Sequence, residues 1–250
     1  MTKLAILSDI HTEFENFDPE ILLADNPDIV ILAGDIGVGT GGVIFAKSLA
    51  PTPVIYVPGN HEHYHHDFHE NLRAMRDLAL ETDVYVLDRG SVVVDGILFL
   101  GATLWADYNI YGDAATSLAN AKLNDQRLIR YGSGMFTTAT ALQEHKDSKG
   151  WLDEELELYY DDPGVATVVV THHAPHPNSI APKYRDKKDR LTPAFVSDLS
   201  ELIAKHKIDL WVHGHDHNNH NYTVDGTRIV SSQKGYPGEC PDWKVLNIEI

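Results

Sequence analysis

Five short apolar runs, each ending in a polar loop that carries Asp, Asn or His, constrain this 250-residue chain more than any other feature. They lie at residues 4–7, 29–33, 54–57, 165–171 and 210–212. Continuous rather than alternating apolar residues predict strands buried on both faces. The loops after these runs are equally uniform in character. They read Asp9-Ile10-His11, Gly34-Asp35, Gly59-Asn60-His61-Glu62, His172-His173 and His213-Gly214-His215-Asp216-His217. In layered α/β folds ligands bind beyond the carboxyl ends of strands, so residues distant in sequence should meet along one rim.

Between the runs, helical patterns are expected at residues 19–24, 41–49, 62–80, 136–160 and 192–207, the last opening on Thr-Pro. Residues 84–104 carry three short β runs. Asp95-Gly96 and, later, Asp225-Gly226 each sit between apolar stretches and predict hairpins. Residues 244–250 read as a final strand. Alternating βα units followed by hairpins favour a mixed α/β sandwich over a purely doubly wound sheet. With no repeat, low-complexity tract or linker, residues 1–250 are expected to form a single domain.

Several function classes fall away. No apolar run approaches the ~20 residues of a membrane span, and the start of the chain reads as a first strand rather than a signal peptide. A single cysteine, Cys240, excludes an intramolecular disulfide and a Cys-rich zinc site; a cytoplasmic location is expected. Twenty Lys and Arg against 37 Asp and Glu give a net charge of −17, so duplex nucleic acid is not an expected partner. Oligomeric state is not legible.

The residue types at the five loops have a chemical logic. Carboxylate and amide oxygens with imidazole nitrogens suit Mn, Fe, Co, Ni or Zn. Asp9, His11, Asp35, Asn60, His172, His215 and His217 make seven candidate ligands, too many for one tetrahedral site. They suit two adjacent divalent ions sharing one carboxylate: Mn2+, Fe2+/Fe3+, Zn2+, Co2+ or Ni2+. Asp9 with His11, and His215 with His217, are expected to share one side of an extended loop. The chain has no Gly-x-Ser-x-Gly elbow and no P-loop.

Taken together and in order, these five motifs resemble those of the calcineurin-like metallophosphoesterases. The resemblance implies a four-layer αββα sandwich with two mixed β-sheets and a dinuclear centre at its rim. It implies Asp9, His11, Asp35 and His217 on one metal, and Asp35, Asn60, His172 and His215 on the other, with Asp35 bridging. The choice of His172 over His173 comes from the family pattern. The resemblance also implies in-line attack by a metal-bridging hydroxide, with His61 protonating the leaving oxygen or binding the phosphoryl oxygen. The expected activity is hydrolysis of a phosphodiester or small phosphorylated molecule; the alternatives are a narrow phosphomonoesterase and a non-catalytic scaffold.

The chain departs from some branches of that family. The Gly-Asp-x-x-Asp-Arg-Gly run of the protein phosphatases is absent after Asp35, and Asp88-Arg89-Gly90 lies about fifty residues later. Glu62 replaces the Asp common in cyclic-nucleotide phosphodiesterases. His63, His65, His66 and His69 are expected on a solvated face, with His65 and His69 on one side of a helix; His176, His206 and His220 are read the same way. Residues 104–131, with Trp105, Tyr108, Asn109, Tyr111, Asn124, Asp125, Arg127 and Arg130, read equally as a substrate-contacting segment or as packing over the sandwich edge. Lys234-Gly235-Tyr236 is a second, weaker candidate for substrate contact.

Overall fold

The computed structural model describes residues 1–112, 115–159 and 164–250. Eleven of its strands form two sheets. The first holds β1 (Lys3–Leu7), β2 (Ile29–Leu32), β3 (Val54–Tyr56), β4 (Val84–Val86) and β13 (Leu246–Glu249), in the order β13-β1-β2-β3-β4. The second holds β5 (Gly90–Val94), β6 (Ile97–Ala102), β9 (Ala166–Thr171), β10 (Leu210–Val212), β11 (His220–Val224) and β12 (Thr227–Ser231), in the order β11-β12-β10-β9-β6-β5. A small hairpin, β7 (Arg130–Tyr131) with β8 (Gly134–Met135), lies outside both. Each sheet has a parallel centre; the first has one antiparallel edge, β13 on β1, and the second has two, β5 on β6 and β11 on β12.

The uninterrupted apolar runs now have a reason. Alternate residues of one strand serve two cores. Leu4, Ile6, Ile29, Ile31, Ile55 and Val57 face Phe99, Val168, Val170, Leu210 and Val212 between the sheets. Their neighbours Ala5, Leu7, Val30, Leu32 and Tyr56 face outward, against Val43 and Ala46 of α2 (Gly41–Lys47) and Leu72 and Met75 of α3 (Phe68–Ala79). The outer face of the second sheet is covered by Leu152 and Leu156 of α6 (Thr138–Leu158) and Leu202 and Ile203 of α8 (Ser200–Lys205). The expected α/β fold with two mixed sheets in an αββα sandwich is what the chain forms. The remaining helices are one-to-two-turn pieces: α1 (Glu20–Leu23), α4 (Thr116–Lys122), α5 (Asp125–Leu128) and α7 (Pro182–Arg185). Among the described residues, no helix is long and apolar enough to cross a membrane.

Three expected elements change. The helix expected over 62–80 begins only at Phe68, where the Asp67 carboxylate accepts from the His69 and Glu70 amides, 3.1 Å each. Residues 61–63 instead form a 3-10 turn, and His65 lies outside the helix at φ +67°, so it shares no helical face with His69. The helix expected over 192–207 splits into a 3-10 turn at Thr192–Ala194 and α8, because residues 195–199 are drawn into a β-bridge, Ala174 with Val196. The helix expected over 136–160 is α6, opened by the Thr137 hydroxyl; Tyr160 lies outside the described residues.

Candidate metal centre

The parallel strands β1, β2, β3, β9 and β10 end at one edge, and the loops leaving them converge there. Asp9 N–H donates to the Gly34 carbonyl at 3.0 Å, His11 N–H to Asp35 at 3.0 Å, and Gly214 N–H to His172 at 2.9 Å. Backbone bonds thus join motif to motif before any side chain is considered. The loops are not extended as expected. Asp9, His11, Asp35, His215 and His217 all hold left-handed backbone, with φ of 54°, 53°, 54°, 76° and 50°. Left-handed residues curl the chain and aim successive side chains inward. Two glycines are obligatory. A Cβ on Gly59 would overlap Asp35 Oδ1, and one on Gly34, at φ +90°, would overlap the His172 ring.

All seven candidate ligands come together. His172 Nε2 lies 3.1 Å from Asn60 Oδ1, 3.1 Å from His215 Nδ1 and 3.4 Å from Asp35 Oδ1. His11 Nε2 lies 3.2 Å from His217 Nε2 and 3.9 Å from Asp35 Oδ2, and His217 Nε2 lies 3.4 Å from Asp9 Oδ1. Asp35 stands between the two groups, one oxygen toward each. His173 points elsewhere, its Nδ1 3.3 Å from the Thr103 carbonyl and its ring 5.3 Å from Trp105.

The donor set fits divalent cations. His172 Nδ1 donates to the Ala33 carbonyl at 2.9 Å, so Nε2 is left as a lone pair. Asn60 Nδ2 donates to Asp125 Oδ1 at 2.9 Å and to the Tyr64 hydroxyl at 3.0 Å, turning Oδ1 the other way. His217 Nδ1 is held by Glu239 at 2.6 Å and His11 Nδ1 by Glu13 at 3.2 Å. Lone pairs therefore meet lone pairs in both groups, an arrangement that only cations or extra protons reconcile. The field says the same. Burial opposes charge on His172, but Asp35 and Asp9 outweigh it and push its pKa to about 10. Burial likewise opposes charge on His217, yet Asp9 and Glu239 raise it to about 9.

His61 sits beside this cluster, its ligand atom within 4.8 Å of those of His11 and Glu13. Its Nδ1 is 2.8 Å from Glu13 Oε1, and its Nε2 is 3.9 Å from Asp35 Oδ2 and 3.2 Å from the Tyr236 hydroxyl. Burial lowers its pKa, but the Asp35 and Glu13 carboxylates prevail and the net shift is upward. Glu62 holds the scaffold. Its buried carboxylate accepts from the amides of Asp35 (3.0 Å), Ile36 (2.7 Å), Gly37 (3.3 Å) and Gly59 (2.6 Å), and from the Tyr56 hydroxyl (2.8 Å). One side chain thus clamps two ligand loops together.

Glu13 and Glu239 are site residues that the sequence reading missed. Glu13 comes after Asp9 and His11 at the same two-residue step, a signal available locally. Glu239 lies 22 residues from His217, and no local pattern joins them. Asp125, in the segment that reads equally as substrate contact or as packing, accepts from Asn60 Nδ2 and so fixes that side chain. Trp105 and Tyr108 are core, packed with Phe68, Ile129 and Phe136. Arg89 pairs with Glu144 at 2.6 Å rather than reaching the centre. His63 is buried, its pKa lowered to about 4 by desolvation, and His206 is buried against Asp153; neither lies on a solvated face. Beside the centre opens a cleft of about 410 Å3, lined among others by Asn60, His215, Tyr236, Leu123, Leu191 and Phe195.

Known proteins of similar sequence or shape place this site in context. An uncharacterised protein of Acanthamoeba polyphaga mimivirus is 26% identical over 96% of this chain and 93% of its own length. The phosphopantetheinyl hydrolase of Mycobacterium tuberculosis has a similar fold, with a TM-score of 0.71 at 20% identity, covering 98% of this chain and 95% of that one. A dimetal phosphatase from Danio rerio aligns with a TM-score of 0.56 at 14% identity, over 94% of this chain and 88% of its own. The family model of the calcineurin-like phosphoesterases matches residues 2–219, a span that takes in all five ligand-bearing strand ends, and the chain belongs to that family.

Proposed function

We propose that the protein is a two-metal phosphoesterase that cleaves a phosphodiester or another small phosphorylated molecule. The observation that carries this is the pair of lone-pair clusters, Asp9 with His11 and His217 and Asp35 with His172 and His215, with Asp35 Oδ2 3.9 Å from His11 Nε2 and His61 beside them on its hydrogen bond to Glu13. When bound, two divalent ions in such a site supply an acidified water and the positive charge that holds phosphate oxygens. The chain does the rest. Asp9, His11, Asp35 and His217 would hold one ion; Asp35, Asn60, His172 and His215 would hold the other. Glu13 keeps the His61 proton geometry fixed by engaging Nδ1, so a proton at Nε2 faces the leaving oxygen. The cleft, about 410 Å3, is of a size that takes a small organic group. Manganese is the ion we would load first, because this ligand set accepts it without demanding tetrahedral geometry.

The test is hydrolysis of bis-(p-nitrophenyl) phosphate by metal-stripped protein reloaded with Mn2+, with Asp35→Asn as control. Metal-dependent turnover that Asp35→Asn abolishes is expected. No turnover in protein shown to hold metal would overturn the diesterase reading. A monoester panel then separates a narrow monoesterase from a scaffold. The intact His61 favours catalysis over the scaffold.

A further inference from the structure

Tyr64 touches two functional side chains with two different parts of itself. Residues 61–63 form a 3-10 turn, and the Tyr64 N–H closes it by donating to the His61 carbonyl at 3.0 Å. Side chains three residues apart eclipse in such a turn. The Tyr64 ring therefore lies against the His61 ring, with centroids 4.2 Å apart and planes at 33°. His11 meets the same imidazole edge-on, at 4.4 Å and 65°. The hydroxyl end of Tyr64 serves the candidate ligand next door. Asn60 Nδ2 donates to it at 3.0 Å, and it donates to Asp125 Oδ1 at 2.9 Å. Asn60 Nδ2 also reaches that carboxylate oxygen at 2.9 Å, so three buried side chains close a triangle.

The triangle is braced by the backbone. Asp125 opens α5, and the same stretch of chain is bonded to the residues just after Tyr64. His65 N–H donates to the Leu128 carbonyl at 2.8 Å, and Arg130 N–H to the His66 carbonyl at 2.9 Å. Two freedoms are removed in this way. The Glu13 hydrogen bond fixes His61 at Nδ1 alone, and the ring can still pivot about that bond and carry Nε2 away. A ring packed against its face blocks the pivot. Asn60 has the corresponding freedom of an amide flip, which would turn Nδ2 instead of Oδ1 toward His172 Nε2. Two acceptors on Nδ2 oppose the flip.

We infer that Tyr64 is a positioning residue with two separable duties: its ring sets the plane of the His61 imidazole, and its hydroxyl, braced by Asp125, keeps Asn60 Oδ1 turned toward the candidate metal. The inference rests on the phosphoesterase reading above. Because both duties fall on one side chain, the proton donor and the ligand are held in one register. Groups that orient a metal ligand commonly carry an effect of about 10- to 100-fold, and a misplacement of about 1 Å at a reacting group costs a comparable factor.

Two variants separate the duties. Tyr64→Phe keeps the ring and removes the hydroxyl, whereas Tyr64→Met fills the space without a ring; should Tyr64→Met not fold, Tyr64→Leu takes its place. Calorimetric titration of Mn2+ into stripped protein should show one of two bound ions held about tenfold more weakly in Tyr64→Phe and the other unchanged. At saturating Mn2+, Tyr64→Met should lower kcat on bis-(p-nitrophenyl) phosphate about tenfold with KM unaltered, and Tyr64→Phe should recover most of that loss. In Zn2+-loaded protein, the NMR signal of the His61 Cε1 proton should move when the ring is lost in Tyr64→Met and stay in place in Tyr64→Phe. A loss confined to KM would make Tyr64 a substrate contact and overturn the inference. So would an unaltered Mn2+ affinity in Tyr64→Phe, equal kcat losses in the two variants, or a His61 signal indifferent to the ring. If no phosphoester is cleaved, the phosphoesterase reading fails, and the titration and the His61 signal still decide the two duties by themselves.

Discussion

Five candidate ligands in left-handed backbone are a concentrated store of strain, on the order of 1–3 kcal/mol per residue. It persists because the surrounding bonds over-determine it: the Glu62 carboxylate pins the Asp35 and Gly59 amides, and Asp9 accepts the His215 amide at 3.1 Å. Side chains around the ligands carry as much of the design as the ligands themselves. Glu13 is the clearest case, since one oxygen serves both His11 Nδ1 and His61 Nδ1. Glu13→Gln should lower kcat about 10- to 100-fold. KM should change much less, because Glu13 touches the two histidines rather than the substrate. Steady-state kinetics with parallel metal analysis checks this; a loss confined to KM would argue against it. At this scale much was legible, for the ligand types and their order stand in the sequence. The orienting acids were harder, because Glu239 reaches His217 through folding rather than spacing.

The secondary elements show how local chemistry sets boundaries. The 3-10 turn after Asn60 interrupts a helical pattern because Glu62 must turn back to serve the backbone of two loops. Asp67 then starts α3 afresh, and its second oxygen accepts the Gly132 amide at 2.8 Å, which ties the β7–β8 hairpin to the helix. Asp67→Ala should cost about 1 kcal/mol, the usual worth of an N-cap. Slight burial works against the charge on Asp67, but the amides of Glu70, Gly132 and His69 hold its pKa below the ordinary value. A depressed folded pKa means the stabilisation is complete above the unfolded value of about 3.9 and is lost as pH falls through the folded one. The gap between wild type and Asp67→Ala in urea melts should therefore be full at pH 7 and close in strong acid. The central strands of the two large sheets were read almost to the residue, since a run apolar on both faces has few alternatives, while the short β7–β8 hairpin was missed. Helix limits were not, because caps and bridges from other segments decide them. The split at 195–199 depends on Ala174, which only the fold brings alongside Val196.

For the whole molecule, the centre lies where the two sheets meet, with Asp9, Asp35 and Asn60 leaving one sheet and His172, His215 and His217 leaving the other. An ion held across that seam binds the folded state alone and stabilises it by mass action. Adding Mn2+ at about 100 times its Kd to stripped protein is expected to contribute about 2.7 kcal/mol. In a chain of this size that raises Tm by about 5–10 °C. Asp35→Asn should abolish the rise, and calorimetry with and without chelator measures it; an equal rise in the variant would place the ion elsewhere. The sequence by itself determined the strands of the two large sheets, their two-core burial and the order of the candidate ligands, because apolar periodicity and side-chain chemistry are properties of residues in order. Only the tertiary structure decided which acids aim the histidines, that Trp105 and Tyr108 are core, and that Asp125 meets Tyr64 beside His61. Those are contacts between segments far apart in the chain, and chain order holds no record of a distance that folding alone closes.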